Sequence, residues 1–397
     1  MNWKGELALK QGRRAVITGI GMLCNVGRNK QEIIINLQEE KLNFEESKDI
    51  PNVKVGKSDI AEIPLDQLEL ADSIERMAFK TIDEALEDAG LSTRWLGQKK
   101  ERAALSFATS LYGIEQSFKG LADEKRRGLW YLYTRRSITK MAQKYQIKGC
   151  TYTTSSACAS GTAGAILGYD LIRNDEADIV LVGGTDYVSK FSLHGFHSLQ
   201  ALSKNICKPF DLNRDGINVG EGSAFFILEE LEHAKKRGKK WYGEIVGGSL
   251  TNDAYHITSP HPNGEGAHYA MKSALTEAQV SVEKLDYINA HGTGTKANDT
   301  MELAAIERLY ENQITNTFVS STKSRTGHCL GSAGSIELGF CVLAMSNHFQ
   351  LETLNTKEMI EDKLGLLKSD GKNKEIEYAL SNSFAFGGNI ASILIRK

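Results

Sequence analysis

The sequence predicts an α/β protein built from two similar halves. Short β-prone apolar runs alternate with helical stretches, the pattern of a mostly parallel sheet covered by helices. The pattern also runs twice. A helical stretch over Glu75–Ser92 ends Ala85-Leu86-Glu-Asp-Ala89-Gly-Leu-Ser92, and one over His268–Ser281 ends Ala274-Leu275-Thr-Glu-Ala278-Gln-Val-Ser281. The two ends agree at four of eight positions. Each is followed by a strand-like run, Ala103–Thr109 and Leu285–Ala290. Each half also opens on one, Ala15-Val-Ile-Thr-Gly19 and Gly243-Glu-Ile-Val-Gly247. The charged, helical Glu229–Lys240 closes the first half, dividing the chain into 1–240 and 241–397. No Pro/Ser-rich linker lies between them. Two half-sheets related by pseudo-symmetry, fused around one interior, are expected.

Composition narrows the class. The 397 residues are 41% hydrophobic and 25% charged, with net charge −2, as in a soluble globular protein with ample core. No apolar run approaches the ~18 residues of a membrane helix. Met1–Arg14 is polar and charged, unlike a signal peptide. A near-neutral chain is a poor match for nucleic acid as its main partner. Cysteines 24, 150, 158, 207, 329 and 341 show neither CxxC pairing nor metal-ligand spacing, and are expected to be reduced thiols of a cytoplasmic protein.

In the first half, Tyr152-Thr-Thr-Ser-Ser-Ala-Cys158-Ala-Ser-Gly161 is a polar β-prone run, then small residues. The apolar positions Ala163, Ile166, Leu167, Leu171 and Ile172 then repeat with helical spacing. Cys158 is therefore expected at a tight turn between strand and helix. A helix N-terminus favours a thiolate, and its free N–H groups can hold a developing oxyanion. A nucleophile would be built so; a buried structural cysteine remains the alternative.

In the second half, Asn289-Ala-His291-Gly-Thr293-Gly-Thr295 follows a strand, where α/β folds place their sites. Ser321-Thr-Lys323-Ser-Arg-Thr-Gly-His328 follows the strand Thr317–Ser320. Gly331-Ser-Ala-Gly334-Ser-Ile-Glu337 then opens a helix with residues small enough for close packing. Ser381-Asn-Ser-Phe384-Ala385-Phe386-Gly387-Gly388-Asn389 joins the strands Ile376–Leu380 and Ala391–Ile395. Alone, a loop histidine, a solvated lysine or a tight Gly-Gly turn would explain each. One Cys, two His and one Lys, all at strand ends among small residues, are harder to explain singly.

These motifs, in this order, resemble the β-ketoacyl-acyl carrier protein synthases, the condensing enzymes of fatty acid and polyketide synthesis. The resemblance runs from Arg13-Arg-Ala-Val-Ile-Thr-Gly-Ile-Gly21 through the Cys158 segment and Gly183-Gly-Thr-Asp186. It continues through Lys208-Pro-Phe-Asp211, Arg214-Asp-Gly216 and Gly220-Glu-Gly222. His291-Gly-Thr-Gly-Thr295, Lys323 with Thr326-Gly-His328, and Phe386-Gly-Gly388 complete it. It implies the thiolase fold, two duplicated βα halves in five layers (α-β-α-β-α), with the nucleophile in the first half and both histidines and the lysine in the second. It also implies a homodimer, or a heterodimer with a related chain, and no organic cofactor.

The resemblance assigns roles as well. Cys158 would take an acyl group from a phosphopantetheine thioester on acyl carrier protein. Malonyl-carrier protein would then lose CO₂, and the carbanion would attack the acyl-enzyme in a decarboxylative Claisen condensation. His291 and His328 match the pair that holds the malonyl thioester oxygen. The N–H groups of Cys158 and Phe386 match the acyl oxyanion hole. Lys323, Glu337 and Asp299 match supporting residues, and Thr293 and Thr295 those that bind pantetheine. Phe384 to Gly388 matches a loop gating the acyl pocket. Lys208 and Arg76 match carrier-docking positions, and Asn289, Glu337 and Ser381 lie where some relatives hold a structural cation.

The family's usual Phe-Gly-Phe-Gly-Gly-Thr-Asn reads here Phe384-Ala385-Phe386-Gly387-Gly388-Asn389-Ile390. Gly128–Lys140, with Trp130, Tyr131 and Tyr133, is also unlike the housekeeping enzymes. Both departures point to a specialised fatty acid, polyene or polyketide pathway. Housekeeping elongation and a non-catalytic chain-length-factor-like partner are the alternatives. The latter would lack the nucleophile.

Overall fold

The computed structural model describes residues 12–58, 73–114, 117, 134–311, 313, 316–367 and 375–397. Trp130, Tyr131 and Tyr133 lie outside the described residues.

The first half begins with β1 (Ala15–Cys24), buried along its whole length. Helix α1 (Lys30–Gln38) starts at Asn29, whose side chain accepts the Glu32 N–H at 2.9 Å. A short ladder, β2 (Glu45–Glu46) and β3 (Lys54–Val55), precedes α2 (Ser73–Ala89). Ile74, Met77, Ala78, Ile82, Ala85 and Leu86 give α2 one buried face at helical spacing. Then follow α3 (Thr93–Gln98), β4 (Ala103–Ala108), α4 (Thr134–Lys144), β5 (Thr151–Thr154) and α5 (Ser160–Arg173). The half ends with β6 (Ile179–Asp186), α6 (Lys190–Ser198), β7 (Gly222–Glu230) and α7 (Leu231–Lys236).

Helix α7 is shorter than Glu229–Lys240, because Glu229 and Glu230 still belong to β7. The Glu229 carboxylate is buried there by a two-pronged bond from Arg237, at 2.6 and 2.7 Å.

The second half contains β8 (Gly243–Asn252), α8 (Glu265–Ala278), β9 (Tyr287–Asn289), α9 (Lys296–Leu309) and β10 (Phe318–Ser320). It continues with α10 (Lys323–Thr326), α11 (Ala333–Asn347), β11 (Tyr378–Phe384) and β12 (Asn389–Arg396).

Strand order shows the repeat directly. The sheet runs β10-β9-β11-β12-β8-β1-β7-β6-β4-β5. Read inward from its outer edge, each half has its third, second, fourth, fifth and first strand. The half-sheets are not separate, since β1 pairs with β8 over Ala15–Ile17 and Gly243–Ile245. Nor are they mostly parallel, as the sequence suggested. The last strand of each half, β7 or β12, runs antiparallel to both of its neighbours.

Five layers follow from the packing. Helices α5 and α11 lie against each other and against strands of both halves. Helices α2 and α4 cover the first half-sheet, α8 the second, with α9 on α8. Alternation along β6 marks the two faces: Val180 and Val182 join the central core, Ile179 and Leu181 the outer one. Helix α11 is buried on all sides from Ala333 to Met345, as a central helix must be. The two central helices touch through glycines. A Cβ on Gly334 would meet Thr162 Oγ1 at 2.2 Å, and one on Gly161 would meet the Ser335 nitrogen at 2.5 Å.

Candidate active site

The turn between β5 and α5 presents Cys158. It is a single 3₁₀ turn over Ala157–Ala159, with Ala157 at φ +48°, a conformation costly for a residue with a side chain. Ser160 Oγ accepts the Ser156 N–H at 2.9 Å and donates to the Ala157 carbonyl at 2.5 Å. Thr154 Oγ1 donates to the Ser160 carbonyl at 3.0 Å. These bonds hold the strained residue and aim the thiol into the interior.

A cavity of about 280 Å³ opens onto that thiol. Cys158, His291, Thr293, Thr295, His328, Phe384, Ala385, Phe386 and Gly388 all line it. Two halves of the chain therefore contribute to one pocket.

The histidines are held in a defined tautomer. Lys323 Nζ donates to His291 Nδ1 at 3.2 Å, and the Leu330 N–H donates to His328 Nδ1 at 3.0 Å. With both Nδ1 atoms accepting, the ring protons sit on Nε2. The rings lie edge to face, centroids 5.4 Å apart at 84°. Burial, with the Lys323 charge adding to it, pushes His291 well below the ordinary histidine value and His328 down to about 3. Both are neutral donors near pH 7.

Lys323 is buried and opens α10, one helical turn instead of the expected loop. Its ammonium contacts Glu337 Oε1 on α11. Burial raises the Glu337 carboxyl, and Lys323 pulls it back.

The thiol departs from the expectation. Burial pushes Cys158 up to about 12; Lys323 opposes this, while Asp186 adds to it. The resting group is a thiol, not the thiolate expected of a helix N-terminus. Removing the charge from water outweighs one short turn and one lysine.

Neither the Cys158 nor the Phe386 N–H donates to another residue among the described residues. Phe386 caps the cavity, 38% exposed, its ring centroid 6.0 Å from that of Phe196 on α6. Gly387 and Gly388 turn the hairpin at φ +80° and +76°.

Thr293 and Thr295 share a hydroxyl contact of 2.9 Å, and Thr295 caps α9. Asp299, buried on α9, accepts the Phe210 N–H at 2.8 Å and the Gly294 N–H at 3.1 Å, fixing the pocket loop from below.

Asn289 and Ser381 are cross-strand neighbours on β9 and β11. Asn289 Oδ1, Ser381 Oγ and Glu337 Oε2 are buried and find no hydrogen-bond donor among the described residues. Orphaned oxygens of this kind fit a hard cation.

Lys208 is half-buried, its backbone near Gly294 of the pocket loop. Arg76 lies on the outer helix α2, away from the cavity lining.

Three residues hold places to which the sequence assigned no role, Asp186 having appeared only inside the Gly183–Asp186 motif. Glu302 accepts the His291 and Gly292 N–H groups, both at 2.8 Å, and burial pushes its carboxyl up to about 7. Asp186 is buried and binds Thr109 Oγ1, Ser110 and the Gly331 N–H at 2.7 to 2.8 Å, tying first-half and second-half loops together. Phe196 is the third. The available signal was an acid on an otherwise buried helix face, as at Asp299 and Glu302 on α9.

Comparison with known proteins agrees with this geometry. Residues 12–234 match the family model for the N-terminal domain of β-ketoacyl synthases, and residues 242–357 that for the C-terminal domain. The chain is 31% identical to 3-oxoacyl-[acyl-carrier-protein] synthase 2 of Coxiella burnetii, over 97% of this chain and 99% of that one. Among solved structures it is similar to the ishigamide ketosynthase/chain length factor, with TM-score 0.87 and 29% identity over 97% and 99% of the two chains. It is also similar to a type II polyketide ketosynthase solved with its acyl-carrier protein and a bound hexaketide, with TM-score 0.86 and 26% identity over 97% and 100%. The chain belongs to the β-ketoacyl synthase family, and its activity is that of a β-ketoacyl-acyl carrier protein synthase, an acyltransferase.

Proposed function

We propose that this chain condenses a Cys158-bound acyl group with malonyl-carrier protein, using the residues of the single pocket described above. The carrying observation is that both imidazoles are fixed as Nε2–H donors on the cavity that holds the thiol. Cys158 sulfur attacks the acyl thioester, and the carbonyl oxygen takes its negative charge between the free N–H groups of Cys158 and Phe386. The thiol proton leaves with the pantetheine sulfur. Malonyl thioester then enters, with Thr293 and Thr295 along its arm. Loss of CO₂ leaves an electron pair as an enolate, whose oxygen His291 and His328 hold. The enolate carbon attacks the acyl carbonyl, and Cys158 sulfur departs, taking a proton from solvent to regain its resting thiol.

Lys323 and Glu337 act through His291: the ammonium occupies Nδ1 and so keeps the proton on Nε2. Glu302 and Asp299 hold the loop beneath. The division at residue 240 separates the nucleophile from the residues that activate malonate.

Acyl carrier protein is the partner, and a half-buried Lys208 beside the pocket loop supports docking of its acidic surface there. Arg76 is supported only by its sequence position. A dimer is supported by β5, which ends the sheet with no further strand among the described residues. A structural cation would rest on Asn289, Glu337 and Ser381, tying β9, β11 and α11. A specialised pathway is favoured by the altered hairpin, Ala385, Asn389 and Ile390. A cytoplasmic setting fits six free cysteines. Among the described residues no helix is long and apolar enough to cross a membrane.

Incubation with radiolabelled acyl-carrier protein tests the reading. Label is expected on Cys158 and is discharged as β-ketoacyl product when malonyl-carrier protein is added. Stable label that malonyl-carrier protein cannot discharge would refute it.

A further inference from the structure

Asn252 ends β8 and is exposed, yet it makes two bonds to the hairpin that carries Phe386 and a third within its own loop. Its Nδ2 donates to the Gly387 carbonyl at 2.9 Å and reaches Asn389 Oδ1 at 3.2 Å, while its Oδ1 accepts the Ala254 N–H at 2.7 Å. All three neighbours agree on which end of the amide is nitrogen.

Gly387 is gripped from both sides, because its own N–H donates to the Ile257 carbonyl at 2.7 Å. The Asp253 N–H adds a bond to the Gly388 carbonyl at 2.8 Å. The fit is close: a Cβ on Gly388 would meet Asn252 Oδ1 at 3.0 Å. With both polar groups of Gly387 tied to the 252–257 loop, the peptide before it has little freedom. The Phe386 N–H belongs to the next peptide back, Ala385–Phe386, whose carbonyl accepts the Gly388 N–H at 3.2 Å, and it has no acceptor of its own among the described residues. The clamp also uses Asn389, where the family's usual hairpin has Thr.

We propose that Asn252 is a positioning residue for acyl transfer: through Gly387 and Asn389 it holds the hairpin so that the Phe386 N–H faces the substrate carbonyl. This rests on the reading of Phe386 as an oxyanion donor. The effect belongs to the acyl-transfer step and not to decarboxylation, which the histidines serve on the opposite wall.

Single-turnover acyl transfer to Cys158 and malonyl decarboxylation are measured separately on the full chain. Asn252→Ala is expected to slow the transfer rate about threefold to tenfold, the range for one hydrogen bond. The KM for acyl-carrier protein and the decarboxylation rate should stay as in the parent. Asn252→Ser should recover most of the rate, because a hydroxyl can still donate to Gly387 and accept from Ala254. Asn389→Ala, which spares the Gly387 bond, should cost less than Asn252→Ala. Unchanged transfer in Asn252→Ala, or an equal fall in both half-reactions, would overturn the clamp. Acylation of the parent chain is read in the same experiment, so failure of the proposed activity is told apart from failure of the clamp.

Discussion

The pocket has two unlike walls. One is made of His291, His328, Lys323, Glu337 and Glu302, all buried; charged or charge-assisted bonds join all but His328, which Leu330 holds through its N–H. The other is the Phe384–Asn389 hairpin, held by bonds at the protein surface to Asn252, Asp253 and Ile257. Buried polar networks lose heavily when one member is removed, whereas surface bonds change position more than energy. On the proposed mechanism the buried wall would govern malonyl decarboxylation, and the hairpin acyl transfer and the choice of acyl group.

The largest break in that comparison is at the nucleophile that both walls face. Cys158→Ala should abolish condensation while malonyl decarboxylation persists, because the buried wall remains. Product from that variant at near parental rate, seen by mass spectrometry, would end the mechanism. His291→Ala or His328→Ala should reduce decarboxylation by roughly 10²–10³, the usual loss of an oxyanion donor. Acyl transfer should fall much less; equal losses would mean that the two walls are not independent.

The thiol itself supplies a pH test. With Cys158 pushed up to about 12, the thiolate fraction is small and rises about tenfold per pH unit below that value. Iodoacetamide alkylation of Cys158 should climb by about 10² between pH 7 and 9 with no plateau. A plateau below pH 8 would place a stable thiolate in the pocket. The smallest change is at the hairpin. Ala385→Gly, which adds backbone freedom worth ~1 kcal/mol, should broaden the range of acyl chains accepted, with relative rates shifting about fivefold. An unchanged chain-length profile would assign selectivity to fixed residues such as Phe196.

The buried wall was largely legible in the sequence, and the hairpin only in part. Cys158, His291, Lys323 and His328 each follow a strand and sit among small residues, a pattern that survives in one dimension. Glu302 left no such trace, since its partners are backbone N–H groups that no residue name records. The protonation of Cys158 differs from the expectation because its desolvation is set by the packing of both halves around the cavity, a tertiary effect. The repeat was visible at the ends of α2 and α8. The antiparallel last strands were not, because strand direction follows from long connections and not from local pattern. Asn252 belongs to no motif, because its hairpin partner Gly387 lies 135 residues further along the chain.

The junction of the half-sheets bears on how the chain reaches this state. Strand β1 is buried along its length but pairs with β7, some two hundred residues later, and then with β8. This first of the described strands waits for β7, some two hundred residues on, before its hydrogen bonds close. Topologies dominated by such distant contacts fold slowly and expose apolar edges meanwhile. The apolar edges of β1 therefore stay unpaired until β7 is made, and folding is expected to be slow.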